Sequence, residues 1–228
     1  MRDLTVKPIA RVHTGFLSKF AVPRQSGLVE SLRGAVIFEP EYRSPEALRG
    51  LEDFSHLWLI WEFSENRREK FSPTVRPPRL GGNRRLGVFA TRAPFRPNPI
   101  GLSCVKLERI DWDTPEGPVL HILGADLLDG TPLFDIKPYL PSADCIPNAT
   151  GGFTDAVEKP TVKVECPPHL LSKIPADQQE GLLGVLSLDP RPAYHDDPER
   201  IDGFGFAGFE IKFRVEDGTL FVTEIVKP

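Results

Sequence analysis

One short stretch of the chain concentrates side chains that could bind a phosphate-bearing partner. Residues 67–96 hold nine basic residues against the single acidic Glu69, and eight of the nine are arginine. The planar guanidinium of arginine pairs with phosphate and stacks on bases, although most runs of charge are solvated surface. The pattern alone leaves both interpretations open. If the partner is RNA, we expect its contacts among Arg76, Arg79, Arg84, Arg85 and Arg96.

Residues suited to other chemistries are sparse. Asp126, Asp129 and Asp135 surround an Asp-Gly turn and could bind a divalent or cationic ligand, although acidic residues in turns are ordinarily structural. The three cysteines lie far apart, and the five histidines show no zinc-binding spacing. We recognise neither a Ser/His/Asp arrangement nor a phosphate-binding loop. We therefore expect no metal, and the residue pattern alone indicates no reaction.

Residues 203–208 match the dinucleotide-binding fingerprint G-x-G-x-x-G. In nucleotide-binding folds this motif follows an apolar strand and opens a helix whose N-terminus binds the pyrophosphate. Here it follows the charged residues 196–200 and precedes an alternating segment typical of a strand. We interpret it as a glycine-rich turn before a hairpin.

The composition is that of a globular chain with an excess of proline. Of 228 residues, 24 are proline, roughly twice the usual share, which favours strands, turns and short helices over a helical bundle. The net charge is −4, but residues 1–150 carry 20 basic and 18 acidic residues while residues 151–228 carry 8 and 14. The acidic total therefore does not exclude RNA.

Apolar patterning predicts a fold based on sheets. The most apolar segment, residues 54–63, is predicted to be a central strand. Shorter strands are predicted at residues 9–12, 34–38, 85–90, 102–110 and 119–123. Many short strands at close spacing indicate a closed or nearly closed sheet. We expect a mainly β fold, with an N-terminal β-barrel and a small α+β C-terminal domain.

The last third of the chain predicts helices followed by a hairpin. Helices are predicted at residues 170–174 and 176–188, and strands at 209–215 and 220–226 around Asp217-Gly218. We place the N-terminal domain at residues 1–141, a proline-rich connecting segment at 142–168 and the C-terminal domain at 169–228.

No apolar run approaches the roughly 20 residues of a membrane span, and the first residues lack the apolar core of a signal peptide. We therefore expect a cytoplasmic protein that has no membrane partner.

Four blocks of residues occur in an order that identifies a family. They are residues 22–25 (Val-Pro-Arg-Gln), 75–82 (Val-Arg-Pro-Pro-Arg-Leu-Gly-Gly), 89–103, which contains Pro-Phe-Arg-Pro-Asn-Pro-Ile-Gly, and 129–139, which begins Asp-Gly-Thr-Pro. With them, residues 8–141 resemble the TsaA-like (TrmO) family of tRNA N6-methyltransferases. Residues 189–194, Asp-Pro-Arg-Pro-Ala-Tyr, extend the resemblance to a small C-terminal domain.

The resemblance implies a TsaA-like β-barrel that binds S-adenosylmethionine, forms a homodimer and has tRNA as its partner. The reaction implied is methylation of N6 in the threonylcarbamoyl-adenosine next to the anticodon. Where the family has His-Gln after the central strand, this chain has Ser64-Glu65, and a carboxylate beside a sulfonium or a ribose is chemically reasonable. By motif, the cofactor contacts would come from Pro23, Arg24, Gln25, Ser64, Glu65, Arg92, Leu102, Asp126, Leu127, Asp129 and Gly130.

The resemblance places Asp189, Arg191 and Tyr194 on the side of the target base as catalytic candidates, with Tyr194 stacking on the base or orienting it. The alternative is that Asp-Pro-Arg-Pro merely shapes a turn. A sulfonium is already an activated methyl donor, so such an enzyme mainly aligns donor and nucleophile. Two other functions remain open: a barrel methyltransferase with a small-molecule or different RNA acceptor, and a non-catalytic RNA-binding module.

Overall fold

A computed structural model describes residues 4–66, 70–77, 84–155, 161–191 and 197–228. Within these residues, strands β1, β2, β7, β6, β3 and β8 close into a barrel in that order. The first eight strands are β1 (Ala10–Thr14), β2 (Arg33–Phe38), β3 (His56–Glu62), β4 (Thr74–Val75), β5 (Leu86–Gly87), β6 (Ile100–Asp111), β7 (Val119–Leu123) and β8 (Thr131–Pro138). The predicted barrel is confirmed.

Strand β3 is the predicted central strand, and it pairs antiparallel with both β6 and β8. Its side chains alternate, with Leu57, Leu59 and Trp61 buried, as the two-residue period of a strand requires. Neighbouring strands contribute Val12, Val36, Val105, Leu120 and Leu133 to the buried apolar set. These side chains give the strands a common packed interior.

The predicted strand at residues 85–90 is wrong beyond its first residues. Only Leu86–Gly87 pairs, with Thr74–Val75 of β4, and a 3-10 helix follows at Val88–Ala90. The backbone leaves the ladder because the amide of Val88 donates to the Pro73 carbonyl (2.9 Å) and the amide of Thr91 donates back to Val88 (3.2 Å). The chain therefore turns where its apolar pattern suggested that a strand continues.

The remaining elements include the C-terminal sheet, whose strand order is β10-β11-β12-β9. They are α1 (Pro141–Asp144), β9 (Lys163–Glu165), α2 (Pro168–Leu171), α3 (Gln179–Ser187), β10 (Asp202–Phe206), β11 (Phe209–Glu216) and β12 (Thr219–Val226). The predicted hairpin is confirmed as β11 and β12, and both residues of its turn, Asp217 (φ 47°) and Gly218 (φ 73°), have positive φ, as a type I′ turn requires.

The glycine-rich motif at residues 203–208 forms a strand and a turn. Its first four residues lie in β10, where Phe204 and Phe206 are buried. Ala207 and Gly208 then turn the chain into β11 at φ 53° and 79°. The predicted glycine-rich turn is therefore found only in the last two residues of the motif. The glycines that alternate with the phenylalanines concealed the pattern of a strand.

The described chain divides into two compact units that are not contiguous in sequence. The first contains Met1–His13, Ala35–Ile122 and Gly130–Ala149, and the second contains Thr14–Gly34, Leu123–Asp129 and Thr150–Pro228. The predicted boundaries at residues 141 and 168 stay a prediction. Among the described residues, no helix combines the length and apolar composition needed to cross a bilayer.

The core of the second unit joins its early and late segments. Phe16, Val29 and Leu32 belong to one buried cluster with residues of α3 and of the C-terminal sheet. Close approach requires glycine on α3, because a β-carbon at Gly184 would lie 2.5 Å from Cγ1 of Val29. The segment that contains residues 23–25 is thereby fixed by packing on α3.

Candidate active site

The loop that carries Arg92 is closed by hydrogen bonds at both ends. The Val88 carbonyl accepts from the Thr91 amide (3.2 Å), the Thr91 hydroxyl (2.9 Å) and Nη1 of Arg96 (3.1 Å). Val88 is itself buried. Arg92 is exposed and lies inside this closed loop, so its backbone is held while its side chain faces solvent.

Arg96, which the sequence suggested as an RNA contact, is half-buried. Its Nη1 donates to the Thr91 carbonyl at 2.7 Å as well as to Val88. Its guanidinium carbon lies 5.7 Å from the centroid of the Phe89 ring, within the range of a cation–π contact. The charge of Arg96 is therefore directed largely at its own loop.

Ser64 and Glu65 lie in a 3-10 turn, Ser64–Asn66, directly after β3. The turn is joined to the start of β6, since the amide of Phe63 donates to the Pro99 carbonyl at 2.8 Å. Residue Glu62 at the end of β3 is paired with Ile100. The structure thus brings Ser64 and Glu65 next to the Pro-Asn-Pro-Ile-Gly segment.

Trp61 and Gly101 form a cross-strand pair beneath this segment. A β-carbon on Gly101 would lie 2.2 Å from Cε2 of the Trp61 indole, so the ring occupies the place of the missing side chain. The indole N–H donates to the buried Ser103 hydroxyl at 3.0 Å. The glycine of the motif thus allows the central strand to place a tryptophan side chain against β6.

A cavity of about 780 Å³ lies in the first unit beside these residues. Its lining includes Glu62, Asn66, Phe95, Arg96 and Asn98. Its lining combines aromatic and polar groups. None of the predicted cofactor contacts lines it. Leu102, two residues beyond the lining residue Ile100, is half-exposed on β6.

The second unit contains Pro23, Arg24, Gln25, Asp126, Leu127 and Asp129. Pro23 is buried and Arg24 exposed. The turn at residues 126–129 is fixed from the end of β1, because the Thr14 hydroxyl donates to the Leu127 carbonyl (2.9 Å) and the Thr14 amide donates to Oδ1 of Asp129 (3.0 Å). The amide of Asp129 in turn donates to the Phe16 carbonyl (2.8 Å).

Gly130 belongs to the first unit. It has φ 74°, and its amide donates to the Val12 carbonyl at 2.8 Å. A glycine suits this place because other residues rarely adopt a positive φ. The predicted turn at Asp129-Gly130 is confirmed, and it leads directly into β8.

Asp189 and Arg191 form a two-point ion pair. Nε and Nη2 of Arg191 donate to the two carboxylate oxygens of Asp189 at 2.9 and 2.8 Å. Asp189 follows α3 in the left-handed conformation (φ 48°), which costs most non-glycine residues energy. The pair fixes the direction of Arg191, while Tyr194 lies outside the described residues.

Three of the arginines predicted to bind RNA lie at one end of the β4–β5 ladder. Arg76 follows β4, and Arg84 and Arg85 precede β5; all three are exposed. The last ladder pair is Val75 with Leu86, so Arg76 and Arg85 follow at the next position on each strand. Arg79 lies outside the described residues.

The acidic turn residues show no metal arrangement. Asp135 accepts the amide of Ile136 and pairs with Lys137 (2.9 Å). In the part of the chain that the structure describes, no group of three or more His, Cys, Asp or Glu could hold a metal ion. The structure thus provides no support for the metal-binding alternative in those residues.

Sequence profiles of the two domains of one family match the chain. The tRNA-methyltransferase O N-terminal domain matches residues 11–145, and the TrmO C-terminal domain matches residues 159–228. The fold and these matches define the class, a β-barrel methyltransferase family. The chain belongs to the tRNA-methyltransferase O (TrmO) family.

Individual relatives agree with this assignment. The chain is 40% identical over 225 residues, or 95% of both chains, to the tRNA (adenine(37)-N6)-methyltransferase of Escherichia coli K12. It is 44% identical over 197 residues, or 83% of both, to RcsF of Pseudomonas aeruginosa PAO1, whose name carries a provisional assignment as an S-adenosylmethionine-dependent methyltransferase. A crystal structure of TrmO from P. aeruginosa matches with TM-score 0.80 and 33% identity, covering 100% of this chain and 99% of that one.

Sequence reasoning missed several residues that shape this region. Trp61 could have been found, since the alternation along β3 places it on the buried face. The role of Thr14 could not, because its contacts are with residues more than a hundred positions away. The hydrogen bonds by which Arg96 closes the Arg92 loop were missed, because its place in a basic stretch suggested an exposed cation.

Proposed function

We propose that this chain is an S-adenosylmethionine-dependent methyltransferase acting on N6 of the threonylcarbamoyl-adenosine next to the anticodon in tRNA. The observation that carries the proposal is the match, over 95% of both chains, to a tRNA (adenine(37)-N6)-methyltransferase. The name of RcsF supports the cofactor. A tRNA substrate also supports a cytoplasmic location.

The residues proposed for cofactor binding fit the chemistry of S-adenosylmethionine. In the first unit, Arg92 is an exposed cation suited to the methionyl carboxylate, and Glu65 is an exposed carboxylate suited to an ammonium group or a ribose diol. In the second unit, Asp126 and the exposed Arg24 offer the same two kinds of charge. We propose that these residues, with Pro23, Gln25, Ser64, Leu102, Leu127, Asp129 and Gly130, bind the cofactor.

The chain's own task in the reaction is alignment. When bound, S-adenosylmethionine supplies a methyl group that is already activated on a sulfonium. The protein therefore needs no covalent nucleophile, and its residues hold donor and acceptor in line. The fixed loops around Arg92 and Asp129 suit this task, because hydrogen bonds between side chains and backbone limit their movement.

The target-base side is proposed at Asp189, Arg191 and Tyr194. The two hydrogen bonds from Arg191 to Asp189 hold the guanidinium in one direction, which favours a planar group presented to a base or a phosphate. The adenine N6 is a weak nucleophile, and a hydrogen-bond acceptor near its proton would assist. We propose this role for a group of the 189–194 segment.

The RNA-binding surface is proposed at Arg76, Arg84 and Arg85, together with Arg79. The three described arginines are exposed and clustered at the end of one ladder. Their mutual repulsion is relieved when a polyanion replaces small counterions. Arg96 belongs to the same predicted set, but its hydrogen bonds to two carbonyls favour a role within its own loop.

A homodimer is proposed as the working form. Ile100 and Leu102 lie two positions apart on β6 and are 44% and 50% exposed. Phe71, which lines the cavity of the first unit together with Ile100, is 58% exposed. Together they offer an apolar patch suited to a second copy. Light scattering of I100E should show monomers at concentrations where the wild type is dimeric, whereas I146E, at an apolar residue that is 68% exposed elsewhere in the same unit, should remain dimeric.

The function is tested by nucleoside mass spectrometry. Purified protein is incubated with S-adenosylmethionine and with tRNA from a strain that lacks the gene. Methyl addition to the threonylcarbamoyl-adenosine supports the proposal. Transfer to a different acceptor supports the barrel methyltransferase of other specificity, and tRNA binding without any transfer supports the non-catalytic module.

The RNA surface is tested by binding at several salt concentrations. Replacing Arg84 and Arg85 by Ala should weaken tRNA binding and lower the slope of log Kd against log salt by about 2, since each phosphate contact contributes roughly 0.9. The exposed Arg49 of the same unit is the control, and R49A should leave the slope unchanged. An unchanged slope in the double variant contradicts the proposed surface.

A further inference from the structure

We propose that Arg96 is a positioning residue that fixes the backbone direction of Arg92 in the cofactor site. This inference rests on the proposed function, because it assigns Arg92 to cofactor binding. It starts from one nitrogen, Nη1 of Arg96, which donates to the carbonyls of both Val88 (3.1 Å) and Thr91 (2.7 Å).

The Thr91 carbonyl is the important acceptor. It belongs to the same planar peptide unit as the amide of Arg92, and planarity means that fixing one end of this unit fixes the other. The 2.7 Å bond from the Arg96 guanidinium is a short, charge-assisted hydrogen bond. Arg96 therefore determines where the Arg92 backbone points.

The other end of the loop is fixed to the residue that precedes β4. Val88 is 1% exposed, and its amide donates to Pro73 at 2.9 Å. Its carbonyl accepts from Thr91 twice and from Arg96 once. The Arg96 guanidinium thus connects this anchor to the peptide before Arg92, and the exposed side chain of Arg92 lies outside the closure.

The environment of Arg96 suits this internal role better than a contact with RNA. Arg96 is half-buried, and its guanidinium lies over the Phe89 ring. Arg76 and Arg84, which are proposed to contact RNA, are instead exposed. Arg96 also lines the cavity of the first unit.

The test separates positioning from direct contact by a double-mutant cycle. S-adenosylhomocysteine, a non-reacting analogue, is titrated by calorimetry into the wild type, R96M, R92A and R92A/R96M. We expect R96M to raise Kd about tenfold, the scale of one charge-assisted hydrogen bond. If Arg96 acts through Arg92, the double variant binds no more weakly than R92A.

Two variants control for a general loss of structure. R43M removes a half-buried arginine of the same unit whose Nε donates to the Phe38 carbonyl at 2.9 Å, and it should leave the Kd unchanged. R96K keeps one cationic donor and should restore part of the affinity, and it carries the test if R96M does not fold. The tRNA affinity of R96M and its salt slope should equal those of the wild type.

The outcomes distinguish this inference from the proposed function. Additive effects in the cycle overturn the positioning role, because Arg96 then affects cofactor binding independently of Arg92. A reduced tRNA salt slope with unchanged cofactor affinity also overturns it and restores Arg96 as an RNA contact. A wild-type protein that binds no S-adenosylhomocysteine overturns the proposed function, and this inference with it. If the wild type binds and both R96M and R96K bind as tightly as the wild type, the inference alone is overturned.

Discussion

The indole of Trp61 lies where the side chain of residue 101 would be, 2.2 Å from the position of a β-carbon on Gly101. The two residues are cross-strand partners on β3 and β6. Gly101 ends the Pro-Asn-Pro-Ile-Gly segment that follows the Arg92 loop. The packing of one side chain thus explains why the recognisable motif has glycine at position 101.

Replacing Gly101 by Ala should destabilise the barrel. The methyl group overlaps three indole atoms, and overpacking of this kind costs about 1–3 kcal/mol. Urea denaturation should show a lower midpoint with an unchanged m-value. The control is G87A, where a β-carbon meets no atom within 4 Å and the change should stay within about 0.5 kcal/mol. Equal midpoints for the two variants would contradict the contact.

Asp189 offers a separate test of its backbone and of its carboxylate. D189A and D189G both remove the two bonds to Arg191, but only glycine adopts φ 48° without strain. We expect D189A to be less stable than D189G by about 1–2 kcal/mol, as measured by chemical denaturation. Both variants should lose methylation if the direction of Arg191 matters. Full activity in D189G would show that the pair only shapes a turn.

The cysteines should differ in reactivity. Burial raises the pKa of the Cys104 and Cys166 thiols, with the Asp144 carboxylate adding to the effect at Cys104, so each holds less thiolate at a given pH. Cys145 is exposed. Timed alkylation with iodoacetamide at pH 8, followed by peptide mass spectrometry, should label Cys145 first. In denaturant all three should react at similar rates, and early labelling of Cys104 in the native protein would be inconsistent with its burial.

Asp111 should titrate below the ordinary range of aspartate. The hydrogen bond from Arg109 is the main cause of the lowered pKa, and His121, 2.7 Å away, adds to it. Because the folded pKa is below the unfolded value of about 3.9, any stability from this cluster is present above that pH and is lost as the pH falls through the folded pKa. NMR titration of R109Q should show a higher Asp111 midpoint. R49Q, at an exposed arginine, should leave it unmoved; an unmoved midpoint in R109Q would refute the assigned cause.

Local patterns predicted the barrel strands well because each strand alternates or is continuously apolar over its own length. Residues 56–62 and 119–123 show this most clearly. The predictions fail where contacts between residues distant in sequence determine the local structure. Residues 88–90 turn because Val88 bonds to Pro73, and β9 exists because residues 163–165 pair in parallel with β12.

The candidate site shows the same division. The motif blocks were sufficient to predict Arg92 as a site residue and a turn at Asp129-Gly130, because both predictions rest on local sequence. The sequence could not reveal that Arg96 bonds to two carbonyls, since an arginine in a basic stretch is ordinarily expected to face solvent. Its actual role depends on the path of the loop, which is fixed only in the folded chain.

The buried cluster of the second unit has a consequence for how the protein can be divided. Phe16, Val29 and Leu32, from the start of the chain, share a core with Leu182 and Leu186 of α3. A fragment that begins near residue 150 would expose that face of α3 to water. Residues 159–228 are thus recognisable as a domain by sequence, yet they depend on the first 34 residues for a complete interior. A truncated protein should therefore be built by retaining both segments, and a ribosome can complete this core only after nearly the whole chain has been made.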